Sequence, residues 1–160
     1  MSCSRTPKNI VLEKTILDDG ISSEINGRHF IIDGPVLKLH QLRYADDLLI
    51  KDEVKYISLN LCPKINKIPT EVSYFKVYEN SYRLKITEVQ QNLGVTIMQP
   101  NTNNFEISKP TPAFVLDSAV ICPGEKVVEI ERSYYHGDKY KFAVIASPEH
   151  DYRPAKTIIS

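Results

Sequence analysis

Two extended runs, Ala113–Cys122 and Lys126–Tyr135, are joined across Pro123-Gly124, and that junction constrains the chain more than any other feature. Glycine reaches positive φ at little steric cost, so so short a connection returns the chain antiparallel to itself. A second tight link, His136-Gly137-Asp138, leads into a third run, Lys139–Ser147. The pattern predicts an antiparallel meander over the C-terminal third.

The rest of the chain reads as mixed α/β of the α+β kind: an antiparallel β-sheet with packed helices. Lys8–Ile16 is a first extended run. Asp18 and Asp19 offer N-cap acceptors for a short helix over Ile21–Asn26, with Gly27 at its C-cap. Gly34-Pro35 breaks the chain before a strand over Val36–Tyr44, and Ala45-Asp46-Asp47 turns it into another over Leu49–Ser58. Pro63 and Pro69 bracket a polar loop, after which Thr70–Tyr82 favours a helix capped by Thr70. A strand is expected over Lys85–Met98, a short helix within Pro100–Ile107, and a peripheral tail over Asp151–Ser160.

Composition removes several function classes. The 160 residues carry 20 basic and 20 acidic side chains, a formal charge of +0, with Lys and Arg scattered. Nucleic-acid binding rests on clustered cations that neutralise phosphates, and this chain shows no such footprint. The three cysteines, Cys3, Cys62 and Cys122, are odd in number and far apart, matching neither a disulfide framework nor a zinc site. His29, His40, His136 and His150 are equally dispersed, so no metal or cofactor is expected. No run is apolar enough to span a bilayer, and Met1–Asn9 lacks the apolar core of a secretion signal. The expectation is a cytoplasmic protein without a membrane partner.

Two strands carry unusual polarity. Residues two apart in a strand share a face, which places Leu37, Leu39, Gln41 and Arg43 together. Glu53 on the return strand lies across from Arg43 if the turn is centred near Leu48. An Arg and Glu pair can hold a polar or anionic ligand, but on spacing alone an ordinary cross-strand ion pair is the commoner outcome. In the later strand, Val127, Glu129, Glu131, Ser133 and Tyr135 share a face, and composition leaves open whether that face is covered or solvated. GxSxG, HExxH, Walker and GxGxxG motifs are all absent, and a Glu53–Glu129 acid–base pair is the sort any acidic chain offers.

These strands also carry a family resemblance. LHQLRYADDLLIKDEVKY, Leu39–Tyr56, resembles the pattern L-x-R-x-R-x-A-D-G-x-P-x-x-x-E-x-S-Y of the UTRA domain, the effector-binding half of HutC-subfamily GntR transcription regulators. VEIERSYYHGDKYKF, Val128–Phe142, resembles its closing signature V-E-x-x-x-S-x-Y-R-G-D-R-Y-x-F, and Ser73–Leu93 resembles the S-x-Y helix start and central strand between them. The resemblance runs from about Asn9 to Ala146 and makes the chain one ligand-sensing domain, core about 9–147. It implies a chorismate-lyase-like fold enclosing a small-molecule cleft, with no catalysis. It implies ligand contacts from Arg43, Glu53, Ser73, Glu129 and Tyr135, with Gln41 where the family has its first Arg and Phe75 where it has the Tyr. His136 replaces the Arg before Gly-Asp.

A buried phosphate needs several charge-assisted donors. Gln41 and Phe75 remove two, so the resemblance leaves a sugar phosphate in competition with a neutral sugar or a carboxylate-bearing metabolite. It further implies a homodimer that meets DNA only through a winged helix-turn-helix, for which no room is seen before Asn9. Two rival expectations stand beside this one: a chorismate-lyase-like enzyme, and an interaction domain with a vestigial pocket.

Overall fold

The computed structural model describes residues 7–145. The Met1–Thr6 segment, Cys3 and the Asp151–Ser160 tail lie outside the described residues. Among the described residues, eight strands form two sheets: β1 (Pro7–Leu17), β2 (Ile21–Ile25), β3 (Arg28–Ile32), β4 (Val36–Ala45), β5 (Leu48–Ser58), β6 (Glu88–Met98), β7 (Thr111–Cys122) and β8 (Lys126–His136). A 3-10 turn, Ile65–Lys67, and helix α1, Tyr74–Asn80, lie between β5 and β6. The main sheet is antiparallel in the order β1-β4-β5-β8-β7-β6, while β2 and β3 pair only with each other. The expected fold class is therefore the observed one.

Each face of the main sheet has its own cover. On one face Leu37, Leu39, Ile57, Val120 and Val128 meet Cys62, Ile65, Tyr74 and Tyr78 of the 3-10 turn and α1. On the other, Val36, Ala119, Ile121, Val127 and Ile130 meet Ile25, Phe30 and Ile32 of the β2–β3 hairpin. Further along that second face, Leu42, Leu49 and Ala113 pack against Met98 and Phe105. We refer to these as the helix face and the hairpin face.

Four expectations are corrected. Ile21–Asn26 is strand and turn, not helix. Ile25 pairs with Arg28, leaving Asn26-Gly27 as a two-residue link. Asn26 at φ 54° and Gly27 at φ 77° are both left-handed, as a primed hairpin turn requires. Ile21, Ile25, Phe30 and Ile32 then point at the sheet with a period of two, which a helix would scatter.

Pro100–Ile107 holds no helix. Thr102 Oγ1 and Asn103 Nδ2 both donate to the Gln99 carbonyl at 2.9 Å, and Asn103 Oδ1 accepts from the Phe105 amide at 2.9 Å. Side chains bonding the local backbone compete with the helical ladder. The 139–145 stretch forms no strand either, so the meander is β6-β7-β8 rather than the three runs after Pro112. Here the chain turns back, with the Tyr140 amide on the His136 carbonyl at 3.0 Å, and stacks Tyr140 and Phe142 on Tyr135. The fourth concerns the helix after Pro69: it is short, and Ser73 rather than Thr70 is its N-cap residue.

Candidate functional site

The register of the central strands lays the helix face out in rows. Reading β4, β5, β8 and β7, one row is Arg43, Lys51, Tyr135, Phe114 and the next is Gln41, Glu53, Ser133, Leu116. Then come Leu39, Lys55, Glu131, Ser118 and finally Leu37, Ile57, Glu129, Val120. Glu53 is thus directly opposite Gln41, and it reaches Arg43 on the diagonal. The two-residue turn pairs Ala45 with Leu48, and a bulge between Arg43 and Tyr44 adds one residue to β5.

A second bulge alters the expected face of β8. Val120 pairs with Glu129 but Ile121 pairs with Val127, leaving Val128 as the extra residue. Val128 accordingly joins the helix-face core, while Val127 packs under the hairpin. The face shared by Val127 and Glu129 in strict alternation is divided at this point. Glu129, Glu131, Ser133 and Tyr135 do share one face, and that face is covered: all four are buried.

The result is a charged layer sealed within the protein. Glu53 is 1% exposed, Glu129 2%, Lys55 7% and Glu131 8%. Such burial is tolerated only when charges are paired. Lys51 Nζ donates to Glu53 Oε1 at 2.8 Å and to Glu131 Oε1 at 3.3 Å. Arg43 approaches Glu53 Oε2 at 3.4 Å. Lys55 Nζ lies 3.5 Å from Glu129 and 3.8 Å from Glu53, and 4.7 Å from the centroid of the Tyr74 ring. Tyr78 Oη donates to Glu129 Oε1 at 2.6 Å, a short charge-assisted bond that ties α1 to β8.

Protonation follows from this crowding. Burial, and the proton it shares with Glu53, push the Glu131 carboxyl up to about 8. Burial would raise Glu53 too, but the bond with Glu131 and the charges of Lys55, Lys51 and Arg43 outweigh it and hold that carboxyl well below the usual range. Burial alone would lower Lys55, yet Glu129 and Glu53 more than compensate and raise it. Three basic side chains, Arg43, Lys51 and Lys55, thus share the layer with Glu53, Glu129 and Glu131, and of the Glu53–Glu131 pair it is Glu131 that holds its proton more tightly.

Four buried side-chain atoms on this face have no partner among the described residues: both amide atoms of Gln41, Ser133 Oγ and Tyr74 Oη. Gln41 and Ser133 flank Glu53 in a single row, and Tyr74 stands over Lys55. Toward the surface, Arg43 also lines a cleft of about 410 Å³ with Lys8, Asn9, Glu71 and Ser73.

The structure therefore gathers Arg43, Gln41, Glu53, Glu129 and Tyr135 around one layer and puts Ser73 beside Arg43 in the outer cleft. It does not bring Phe75 there. That ring is 42% exposed and contacts Tyr78, while the neighbouring Tyr74 takes the inner position. His136 lies on the opposite face, edge-on to Phe105. Sequence reasoning missed Lys51, Lys55, Tyr74 and Tyr78 as members of the layer. The first two were signalled by their spacing of two from Glu53. Cys62 and Cys122 are buried and free, and burial pushes the Cys62 thiol up to about 12, so it is inert.

An antiparallel sheet with one face closed by a helix over a polar interior is the chorismate-lyase-like fold shared with solved domains of this type. Within it, this chain belongs to the UTRA domain family, whose model matches residues 5–141. Among solved structures, the C-terminal domain of Yurk from Bacillus subtilis is similar at 20% identity, covering 85% of this chain and 94% of that one, with a TM-score of 0.65. A GntR-family transcriptional regulator from Enterococcus faecalis is 18% identical over 87% of this chain and 100% of that one, TM-score 0.70. The effector domain of PhnF from Mycobacterium smegmatis is 14% identical over 89% and 88%, TM-score 0.67. No curated protein matches the chain in sequence.

Proposed function

We propose that this chain is the effector-sensing domain of a GntR-type regulator of the HutC kind, and that it binds a small polar metabolite in the layer beneath α1. The observation that carries the reading is the set of partnerless buried atoms on Gln41, Ser133 and Tyr74. A buried polar group without a hydrogen bond costs about 1–3 kcal/mol, and a protein retains such a cost where a ligand's groups complete the bonds. Arg43 and Ser73 receive the ligand's charged end in the outer cleft, and Glu53, Glu129 and Tyr135 order the groups around its hydroxyls. A phosphate or carboxylate suits Arg43 and Lys51, and Gln41 contributes a neutral amide. In the full regulator, a homodimer in the cytoplasm, the ligand favours one domain arrangement over another and so changes DNA binding through a separate domain.

The test joins a screen to one variant. Glucose 6-phosphate, glucose and small carboxylic acids are offered at millimolar concentration, and a true effector stabilises the fold saturably, by about 2.7 kcal/mol at one hundred times its Kd. Gln41→Leu removes the orphaned amide, so the free protein becomes more stable by about 1–3 kcal/mol while affinity falls about tenfold or more. A free Gln41→Leu protein less stable than wild type would mean that Gln41 is satisfied structurally, and the reading would fail.

A further inference from the structure

Lys55 stands out within this layer. Its ammonium enters from β5, lies between Glu53 and Glu129, and is roofed by the Tyr74 ring. An aromatic face with two carboxylates is the environment that recognises a substituted ammonium ion. Here the ion is part of the chain. Its distances of 3.5 and 3.8 Å to the carboxylates are those of ion pairs rather than charge-assisted hydrogen bonds, which run to about 2.7–2.9 Å. Lys51 differs, since it already donates to Glu53 at 2.8 Å. The Lys55 N–H groups thus remain open to an acceptor oxygen, in a layer whose Gln41 amide and Ser133 hydroxyl also lack partners.

We propose that Lys55 is the specificity-determining residue of the effector site: it is a resident ammonium that occupies the carboxylate-and-aromatic cage, excludes ligands bearing a cationic amine, and presents its N–H donors to an acceptor oxygen of the effector. This rests on the effector reading above. A ligand ammonium brought beside Lys55 would place like charges together in a poorly hydrated space, whereas a ligand without one completes the donors that Lys55 leaves open. Glu53 and Glu129 act as the cage of Lys55, and Tyr74 couples its occupancy to α1.

The experiment removes the resident ion and supplies another. In Lys55→Ala, ethylammonium chloride raises the thermal unfolding midpoint by several degrees and saturates, sodium chloride at equal concentration does not, and wild type responds to neither beyond the common salt effect. Should Lys55→Ala fail to fold alone, its refolding yield in ethylammonium against sodium gives the same reading. In a second arm glucosamine, charged at neutral pH, stabilises Lys55→Ala more than glucose does, and the difference is absent from wild type. Equal responses of wild type and variant to ethylammonium, or equal effects of glucosamine and glucose on the variant, overturn the assignment. A metabolite that binds wild type without ammonium rescue of the variant sinks the role of Lys55 and spares the site. Ammonium rescue with no metabolite bound sinks the effector reading instead.

Discussion

The two faces of the main sheet are built by the same strands and have opposite chemistry. Under the β2–β3 hairpin, Val36, Ala119, Ile121 and Ile130 form an apolar contact, and the polar residues beside it are paired. His40 Nε2 meets Asp52 Oδ1 at 2.6 Å, Asn104 Nδ2 donates to Asp52 Oδ2 at 2.8 Å, and Arg132 holds Asp117 with two bonds of 2.9 and 3.2 Å. Under α1, an apolar end gives way to Lys51, Glu53, Lys55, Glu129 and Glu131, and all four partnerless buried atoms among the described residues lie there. The comparison teaches where the fold stores stability and where it carries a cost. Apolar burial contributes about 25 cal/mol per Å² regardless of detail, whereas a buried ionic layer is at best near neutral against an apolar one. The proposed effector site lies on the face that carries the cost.

Substitutions on the two faces sharpen the contrast. The largest effect is expected from Glu53→Ala, which leaves Lys51, Lys55 and Arg43 without their shared anion. Breaking a buried pair in this way costs about 3–5 kcal/mol, read as a lower urea midpoint, and abolishes effector binding. Ile130→Ala on the hairpin face destabilises by about 2–5 kcal/mol through the cavity it leaves, with affinity unchanged once the protein is folded. Were Ile130→Ala to weaken binding as much as Glu53→Ala, the division of labour between the faces would be lost.

The most gradual expected effect concerns pH. The native state raises Glu131 from an ordinary 4.5 to about 8, so it holds this proton more tightly than the unfolded chain. The contribution of this group is therefore fully present below 4.5 and is lost as pH rises toward 8. Unfolding free energy declines across that window, with a slope of at most about 1.4 kcal/mol per pH unit for one proton. Glu131→Gln flattens the decline, as urea midpoints at several pH values would show. An unchanged slope in Glu131→Gln would assign the proton to another group.

Strand alternation is a local property, so β1, β4, β5, β7 and β8 were legible from residues two apart, and the shared face of Gln41 and Arg43 came with them. Lys51 and Lys55 obey the same parity as Glu53 and were within reach of that argument. The β2–β3 hairpin was also legible, since Asn26-Gly27 is a strong signal for a two-residue turn, but the preceding aspartates favoured a helix and prevailed. Phe75 and Tyr74 were not separable, because the phase of a seven-residue helix is set by what it packs on.

By itself the sequence determined an antiparallel α+β domain, the UTRA family, and several of the residues that meet beneath α1. Each of these rests on short-range pattern or motif order. The tertiary structure alone decided which sheet face is sealed, that Gln41 rather than Arg43 stands opposite Glu53, and that Val127 parts company with Glu129. Bulges shift register by one residue and covering elements arrive from distant parts of the chain. Whether an alternating row of charges is solvated or buried is decided by that cover, and here the cover is Tyr74 and Tyr78 of a helix separated by a long loop from β5 and lying still further along the chain from β4, β7 and β8.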